Sequence, residues 1–293
     1  KTGSKDIGLT LMGITHGSEW AGVAVLNRVL EHLIAGTIQL RIPVAFVLGN
    51  PWAARENKRF LERDLNRSFA RGSAATLEER RAGELEYLLT RTAYLVDFHQ
   101  TMQPSDRAFF IFPYRCDALD LARSIAPEQT IVTHWGQSFS AEGRCTDEYV
   151  NASGGLGITV ELGQNGFSPY QIAVGVESAL WAITVATACL EGRTLADLVK
   201  ERSAPEPEIF TWSQIIPWPN QGVVHLDAGW TNFREVEKGQ RLGDVDGSPI
   251  LAEVSGRILF PKYLTPEQQE SSSTRPAELL RVMRLVALDA LPS

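Results

Sequence analysis

The segment Ala93-Tyr-Leu-Val-Asp-Phe-His99 is almost unbroken in apolar character. A short run of this kind suits a strand buried on both faces, as in a parallel sheet covered by helices on either side. Other segments repeat the theme. Ile7 to Ile14, Thr37 to Val47, Phe109 to Phe112, Thr130 to Thr133 and Ile158 to Leu162 are further strand candidates. Between them lie helical patterns over Trp20 to Ile34, Glu78 to Thr90 and Asp117 to Ile125, and a long one opened by Pro169-Tyr170 and reaching about Leu190. Strands alternating with helices indicate an α/β fold, a mostly parallel or mixed sheet with helices on both faces.

Near Ser203 the character changes. Ala204-Pro-Glu-Pro-Glu208 reads as a linker, and beyond it strands are short and turns frequent: Asp227-Ala-Gly229, Lys238-Gly239, Gly243-Asp244, Asp246-Gly247, Ser255-Gly256. Residues 1–203 are therefore expected to form one domain, and residues 204–293 a small all-β domain that could cap a cleft in the first. Leu279 to Leu288 fits a strand better than a helix, and Ser271-Ser-Ser-Thr274 fits a mobile loop. With 44% hydrophobic and 22% charged residues, the 293-residue chain can build one large core plus a small extra domain.

Composition also excludes some function classes. A net charge of −7 argues against a general nucleic-acid binder. Cys116, Cys145 and Cys189 are widely spaced and contain no Cys-x-x-Cys, so neither a disulfide framework nor a cysteine zinc site is implied. Lys1 to Asp6 lacks the apolar core of a signal peptide, and a reducing, cytoplasmic setting is expected. The apolar run Ser178 to Leu190 falls short of the about 20 residues needed to span a bilayer. A buried helix, and no membrane association, is the expectation.

The chemistry concentrates at the ends of the strands. His16-Gly-Ser-Glu19 sits where the first strand hands over to the first helix, and the three-residue offset brings both side chains to one side. Gly17 would permit a tight turn. A neutral imidazole and a carboxylate are two of the three protein ligands of a hydrolytic zinc site, whose fourth position stays open for water. His99, at the end of its strand, is the strongest third candidate, because ligands of open α/β sheets bind beyond the carboxyl ends of the strands. Asp97, two residues back, suits a supporting role. His134 is a reserve candidate, and His32 and His225 have weaker contexts. Glu161, at the end of another apolar strand, suits the base that deprotonates water, since an unpaired buried carboxylate is costly without a function. Trp52 to Arg71 is a local basic concentration, most of which reads as a solvated helix face. Within it, Arg59 and Arg67, with Asn66, suit an oxyanion and a substrate carboxylate, which arginine can hold through two parallel bonds.

Other motifs do not qualify. Gly154-Gly-Leu-Gly157 lacks the spacing of a dinucleotide fingerprint, and Gly136-Gln-Ser-Phe-Ser140 lacks the last glycine of a nucleophile elbow. Asp244-Val-Asp-Gly247 makes a hairpin turn more simply than a calcium loop, and Lys238 reads as a turn residue.

Taken in order, His16-Gly-Ser-Glu19, Asn50-Pro51, Lys58-Arg-Phe60, Asp64-Leu-Asn-Arg67, Asp97-Phe-His99 and Val160-Glu-Leu-Gly163 resemble the succinylglutamate desuccinylase/aspartoacylase family, a branch of the zinc carboxypeptidase superfamily. Val236 to Gly243 and Ser255 to Pro261 resemble the family's lipoyl-like C-terminal turns and strands. The resemblance implies one zinc per chain, held by His16, Glu19 and His99. It implies Glu161 as general base, Arg59 on the acyl carbonyl, Asn66 and Arg67 as the carboxylate clamp, and Asp64 as an orienting group. Arg144 and Tyr263 are further candidate contacts. The implied reaction is hydrolysis of a small anionic N-acyl amino acid. A peptide-cleaving carboxypeptidase and a non-catalytic acyl-amino-acid binder remain alternatives, and a homo-oligomer is compatible with the sequence.

Overall fold

The computed structural model describes residues 5–126, 130–136, 138–140, 143–202, 206–270 and 275–292. The expected linker residues 203–205 and the expected mobile loop 271–274 lie outside them. The chain divides into two compact units. One comprises residues 1–100 and 107–207, and the other residues 101–106 and 208–292.

The first unit is an α/β layer structure. Its strands are β1 (Ile7–Gly13), β2 (Val44–Leu48), β3 (Thr92–Thr101), β4 (Phe109–Pro113), β5 (Thr130–His134) and β6 (Leu156–Gln164). Their order in the sheet is β2-β1-β3-β6-β4-β5. β1 runs parallel to β2 and β3, and β4 parallel to β5, while β6 is antiparallel to β4, so the sheet is mixed. The helices are α1 (Ala21–Ile34), α2 (Pro51–Arg55), α3 (Leu77–Leu89), α4 (Cys116–Ile125), α5 (Thr146–Ala152), α6 (Pro169–Leu190) and α7 (Leu195–Arg202).

The apolar run that suggested a doubly covered strand is β3, and Leu95, Val96 and Phe98 are completely buried. Each such side chain contributes roughly 1.5–3 kcal/mol of hydrophobic stabilisation. Met12 and Leu95 pack with Ala82, Leu85 and Leu89 of α3, on the face from which Asp97 and His99 also project. α1 and α6 pack against β1 and against each other. Close approach makes this possible: a Cβ on Gly13 would stand 2.9 Å from the backbone of Gly22, in the first turn of α1. α6 is long and apolar enough to cross a membrane by length and composition alone. Val174, Ala179, Ala182, Ile183 and Ala186 are buried, and the helix packs on α1, α4, β1 and β6.

Several local expectations change. The strand expected over Thr37 to Val47 begins only at Val44, because Pro43 has no N–H to give a ladder and the chain before it turns. Trp52 to Arg71 is not a helix face: α2 ends at Arg55, and a single 3-10 turn, Leu65–Arg67, follows a loop. The loop is fastened by the buried Glu78, whose carboxylate accepts from the backbone N–H groups of Leu61, Glu62 and Arg63 and from Asn50 Nδ2. α5 and α7 were not foreseen.

The second unit is β-rich. β7 (Glu208–Pro217), β13 (Glu278–Val286), β12 (Gly256–Leu259) and β9 (Glu235–Val236) lie in that order, each pairing antiparallel with the next. β11 (Ser248–Leu251), β10 (Arg241–Val245) and β8 (Val224–Leu226) form a three-stranded antiparallel sheet. α8 (Pro266–Glu270) is a short helix among them. Leu279 does begin a strand rather than a helix. Asp246 and Gly247, both at positive φ, turn the β10–β11 hairpin, and Gly247 N donates to Asp244 Oδ1. Lys238 lies in the turn between β9 and β10.

Candidate metal centre

β1 ends at Gly13, and Ile14 then takes φ +56°, a conformation that a β-branched residue rarely adopts. This sharp departure aims Thr15 and His16 away from the strand direction. Gly17 is needed for space rather than for an unusual φ. A Cβ there would fall 2.2 Å from the backbone of Ala53, and Gly17 N donates to Arg59 O at 3.0 Å. Glu19 follows in the turn that opens α1.

His16, Glu19 and His99 are all buried and converge. One donor atom from each can be chosen so that all lie within 4.8 Å of one another. His16 Nδ1 is 2.7 Å from Glu19 Oε1, His99 Nδ1 is 2.9 Å from Glu19 Oε2, and the two Nδ1 atoms are 3.1 Å apart. Two nitrogens bound to one tetrahedral ion at about 2.0 Å stand about 3.3 Å apart, so the donor spacing fits a divalent cation. His99 lies two residues inside β3, which continues to Thr101, rather than at the strand end.

The opposite ring nitrogens are also engaged. His16 Nε2 pairs with Asp64 Oδ1 at 3.1 Å, and His99 Nε2 with Asp97 Oδ2 at 3.0 Å. Carboxylates placed behind imidazoles fix the ring orientation and leave the other nitrogen for a metal. Asp97 is itself held by Thr15 Oγ1 and Thr146 Oγ1. Asp64 also accepts from Asn66 N and from Arg59 Nη2 at 3.4 Å. Both aspartates thus support the imidazoles, the roles their positions suggested. Nothing in the sequence pointed to Thr146, which arrives on α5.

Electrostatics follow from this crowding. Burial opposes a charge on Glu19, but His16 and His99 outweigh it and hold the carboxyl well below the usual range. Burial likewise opposes ionised Asp64, and His16 and Arg59 override it. Burial alone would lower the pKa of His99, yet Asp97 and Glu19 raise it well above the ordinary imidazole value.

Glu161 is buried within β6, three residues before the strand's end rather than at its terminus. Burial pushes its pKa up to about 7 against the pull of His99, and Glu19, His16 and Arg59 also act on it. Its Oε2 has no hydrogen-bond partner among the described residues. A buried carboxylate oxygen without a donor is costly and marks a place where another group belongs.

Arg59 donates to Glu19 Oε1 at 3.1 Å and is about one-third exposed. Asn66 accepts from Thr146 N through Oδ1, which fixes its amide. Arg67 donates to Asn66 O and to Cys145 Sγ, and its guanidinium lies 4.9 Å above the Phe139 ring. Neither Cys145 nor Phe139 was singled out from sequence. Arg144 is exposed, and its backbone pairs with Phe69. The Tyr263 hydroxyl accepts from Trp230 N and donates to Asp227 O. His134 ends β5 outside the converging group, His32 bonds Thr37 on α1, and His225 lies in β8.

The α/β unit thus carries two imidazoles and a carboxylate that could hold a metal ion, and a second buried carboxylate, Glu161, whose Oε2 has no partner among the described residues. Comparison with known proteins identifies the family. Residues 6–179 match the succinylglutamate desuccinylase/aspartoacylase catalytic domain. A succinylglutamate desuccinylase from Pseudomonas putida is 30% identical over 285 residues, covering 88% of this chain and 80% of that one. The fold is shared with solved structures of succinylglutamate desuccinylase from Vibrio parahaemolyticus (TM-score 0.73, 17% identity, 98% of this chain and 84% of that one) and of murine aminoacylase 3 (TM-score 0.64, 20% identity, 96% of each). The chain belongs to the succinylglutamate desuccinylase/aspartoacylase family.

Proposed function

We propose that the protein is a zinc-dependent hydrolase. It cleaves the amide bond of an N-acyl amino acid of the N-succinylglutamate or N-acetylaspartate kind, giving a carboxylate and a free amino acid. The observation that carries this reading is the convergence of His16, Glu19 and His99, with Glu161 presenting an unpartnered carboxylate oxygen to the same group of charges. The names of the relatives, a desuccinylase and an aminoacylase, support the same bond type.

His16, Glu19 and His99 would hold one zinc ion, which when bound makes water more acidic and polarises a carbonyl. Asp64 and Asp97 bond the Nε2 atoms of the two imidazoles, which leaves both Nδ1 atoms beside Glu19, where they would serve as ligands. Glu161 takes the proton of the attacking water and later returns it to the departing nitrogen. A carboxyl whose pKa burial has raised to about 7 is suited to both transfers near neutral pH. Arg59, held by Glu19 and Asp64, supplies the guanidinium that steadies the oxygen gaining negative charge. Asn66 and Arg67 take the carboxylate of the amino-acid part, Arg67 braced by Phe139 and Cys145. Cys116, Cys145 and Cys189 are free thiols, which accords with a reducing, cytoplasmic setting.

The test is a screen of zinc-loaded protein against N-succinyl and N-acetyl amino acids, detecting the released amine. Release from at least one substrate, lost on chelation and restored by zinc, is expected. No bound metal and no amine release would overturn the reading. Cleavage of peptides alone would make the protein a carboxypeptidase, and calorimetric binding without turnover would make it a binder.

A further inference from the structure

Gln100 follows His99 directly, so its side chain leaves β3 on the face opposite the imidazole. It is a buried amide whose bonds reach three separate elements. Its backbone N–H donates to Glu19 Oε2 at 3.0 Å. Its Oε1 accepts from Ala21 N at 2.9 Å. Its Nε2 lies 3.0 Å from Gln164 O, 2.9 Å from Gly166 O and 2.7 Å from Gln171 Oε1. Gln171, in the first turn of α6, returns a bond from its own Nε2 to Gln164 O.

Two features make this more than ordinary packing. α1 starts at Trp20 without a side-chain cap of its own, so the acceptor at its first turn comes from Gln100, on a strand far away in sequence. Glu19 is thereby held from two directions by one residue: at its carboxylate by the Gln100 N–H, and two residues onward by the Gln100 carbonyl oxygen. The donor end of the same amide grips Gln164 and Gly166, where the strand that carries Glu161 runs out. Gly163, at φ +125°, keeps this junction tight, because a Cβ there would meet Gln171 Nε2 at 2.7 Å.

We infer that Gln100, with Gln171 as its partner, is a positioning residue: it sets the metal-ligating carboxylate of Glu19 in register with the strand that presents Glu161. This inference rests on the reading of His16, Glu19 and His99 as a zinc site. It adds a residue that acts through both the ligand and the base while touching neither ion nor substrate with its side chain.

The experiment pairs zinc affinity, measured by competition with a chromophoric chelator, with steady-state kinetics on Gln100→Leu, Gln171→Leu and the unaltered protein. Gln100→Leu removes the support of α1 and the grip on the loop. It is expected to weaken zinc binding about tenfold, within the range for groups that orient metal ligands. Its kcat is expected to fall by about tenfold or more, with KM changed by less than about twofold. Gln171→Leu leaves the Gln100–Ala21 bond in place, so its kcat falls while zinc affinity stays. Gln100→Glu keeps an acceptor for Ala21 N but replaces the donor with a carboxylate facing three oxygens. It reads the same distinction should Gln100→Leu not fold, with kcat reduced and zinc affinity kept. Lowered melting temperatures with zinc affinity and kcat unchanged at 25 °C would overturn the inference and leave the zinc site standing. Unaltered protein that binds no zinc would instead overturn the site reading, and this inference with it.

Discussion

Each unit of the protein buries a cluster of charges, and the two clusters are built on opposite plans. In the second unit, Glu278 makes a forked pair with Arg281, with contacts of 2.8–2.9 Å, and takes a further bond from Lys262 at 3.2 Å. Arg281 also lies 3.6 Å above the Trp212 ring. One carboxylate meets two cations, and burial, which opposes its charge, is overcome by Lys262 and Arg281, so its pKa is lowered. In the first unit, Glu19, Asp64, Asp97 and Glu161 stand with Arg59, and with Arg67, whose charge reaches Asp64. There four carboxylates face two guanidiniums and two imidazoles. A carboxylate already held by two cations serves structure. A cluster richer in carboxylates, with two imidazoles facing one of them, has the donors that the proposed zinc ion would need.

The largest expected effect lies in the carboxylate-rich cluster. Glu161→Gln keeps the shape of the base and removes its ability to hold a proton. Turnover should fall by about a thousandfold, within the range of general acid–base contributions, while bound zinc measured by metal analysis stays at one per chain. Turnover within about threefold of the original would mean that Glu161 is not the base and that its bare oxygen is a packing defect. The Glu278 cluster should respond in stability instead. Glu278→Ala removes the carboxylate that buried Arg281 forks to and should cost about 3–4 kcal/mol in urea denaturation, with zinc binding unchanged.

pH separates one carboxylate of each unit, Glu278 and Asp147, by sign. Glu278 has a folded pKa below its unfolded value, so its contribution is present above about pH 4.5 and is lost as pH falls through the folded pKa. Asp147, in the first turn of α5, is the reverse. Burial, reinforced by Glu148 and Asp97, pushes it up to about 7 from an ordinary value of 3.8. The folded state therefore favours the protonated form, and stability is lost as pH rises from about 4 through about 7. Asp147→Asn keeps an acceptor for Glu148 N and removes the buried charge. It should stabilise the protein by about 4 kcal/mol at pH 8 and leave it unchanged at pH 4, seen as a melting-temperature difference that grows with pH. A difference independent of pH would show that folding leaves the Asp147 pKa at its ordinary value.

What the sequence made legible divides along the same physical line. β3, and the three residues His16, Glu19 and His99, were visible because regular elements write their burial into a short period. An apolar run or an i, i+3 pair carries its geometry with it. Glu161 stood out because a carboxylate inside an apolar strand needs a reason. The supports were not visible. Thr146 meets Asp97 from 49 positions away, and Gln100 meets Ala21 from 79. No local pattern encodes a contact made by the tertiary fold. The same limit explains the extra length of β3 and β6, since pairing with neighbouring strands extends a strand past its apolar run. It also explains the misreading of Trp52 to Arg71, where charge at helical spacing suggested a solvated helix and a remote carboxylate imposes a loop.

That loop offers the smallest and most discriminating test. Arg59, Asn66 and Arg67 lie on it or on the 3-10 turn that ends it, yet its backbone bonds go largely to one side chain, Glu78 on α3. The two converging histidines, by contrast, sit on or just beyond strands locked into the sheet. Loosening the loop should therefore disturb the proposed carboxylate clamp before it disturbs the proposed zinc site. Glu78→Gln keeps one oxygen, for Leu61 N and Asn50, and turns an amine toward Glu62 N and Arg63 N. The unmet N–H groups should cost about 1 kcal/mol of stability. KM should rise several-fold while zinc affinity holds, because His16 and His99 do not depend on Glu78. A fall in zinc affinity as large as the rise in KM would mean that loop and metal site move as one body. Asp64, which bonds both His16 and Arg59, would then be the joint between them rather than a support for each separately.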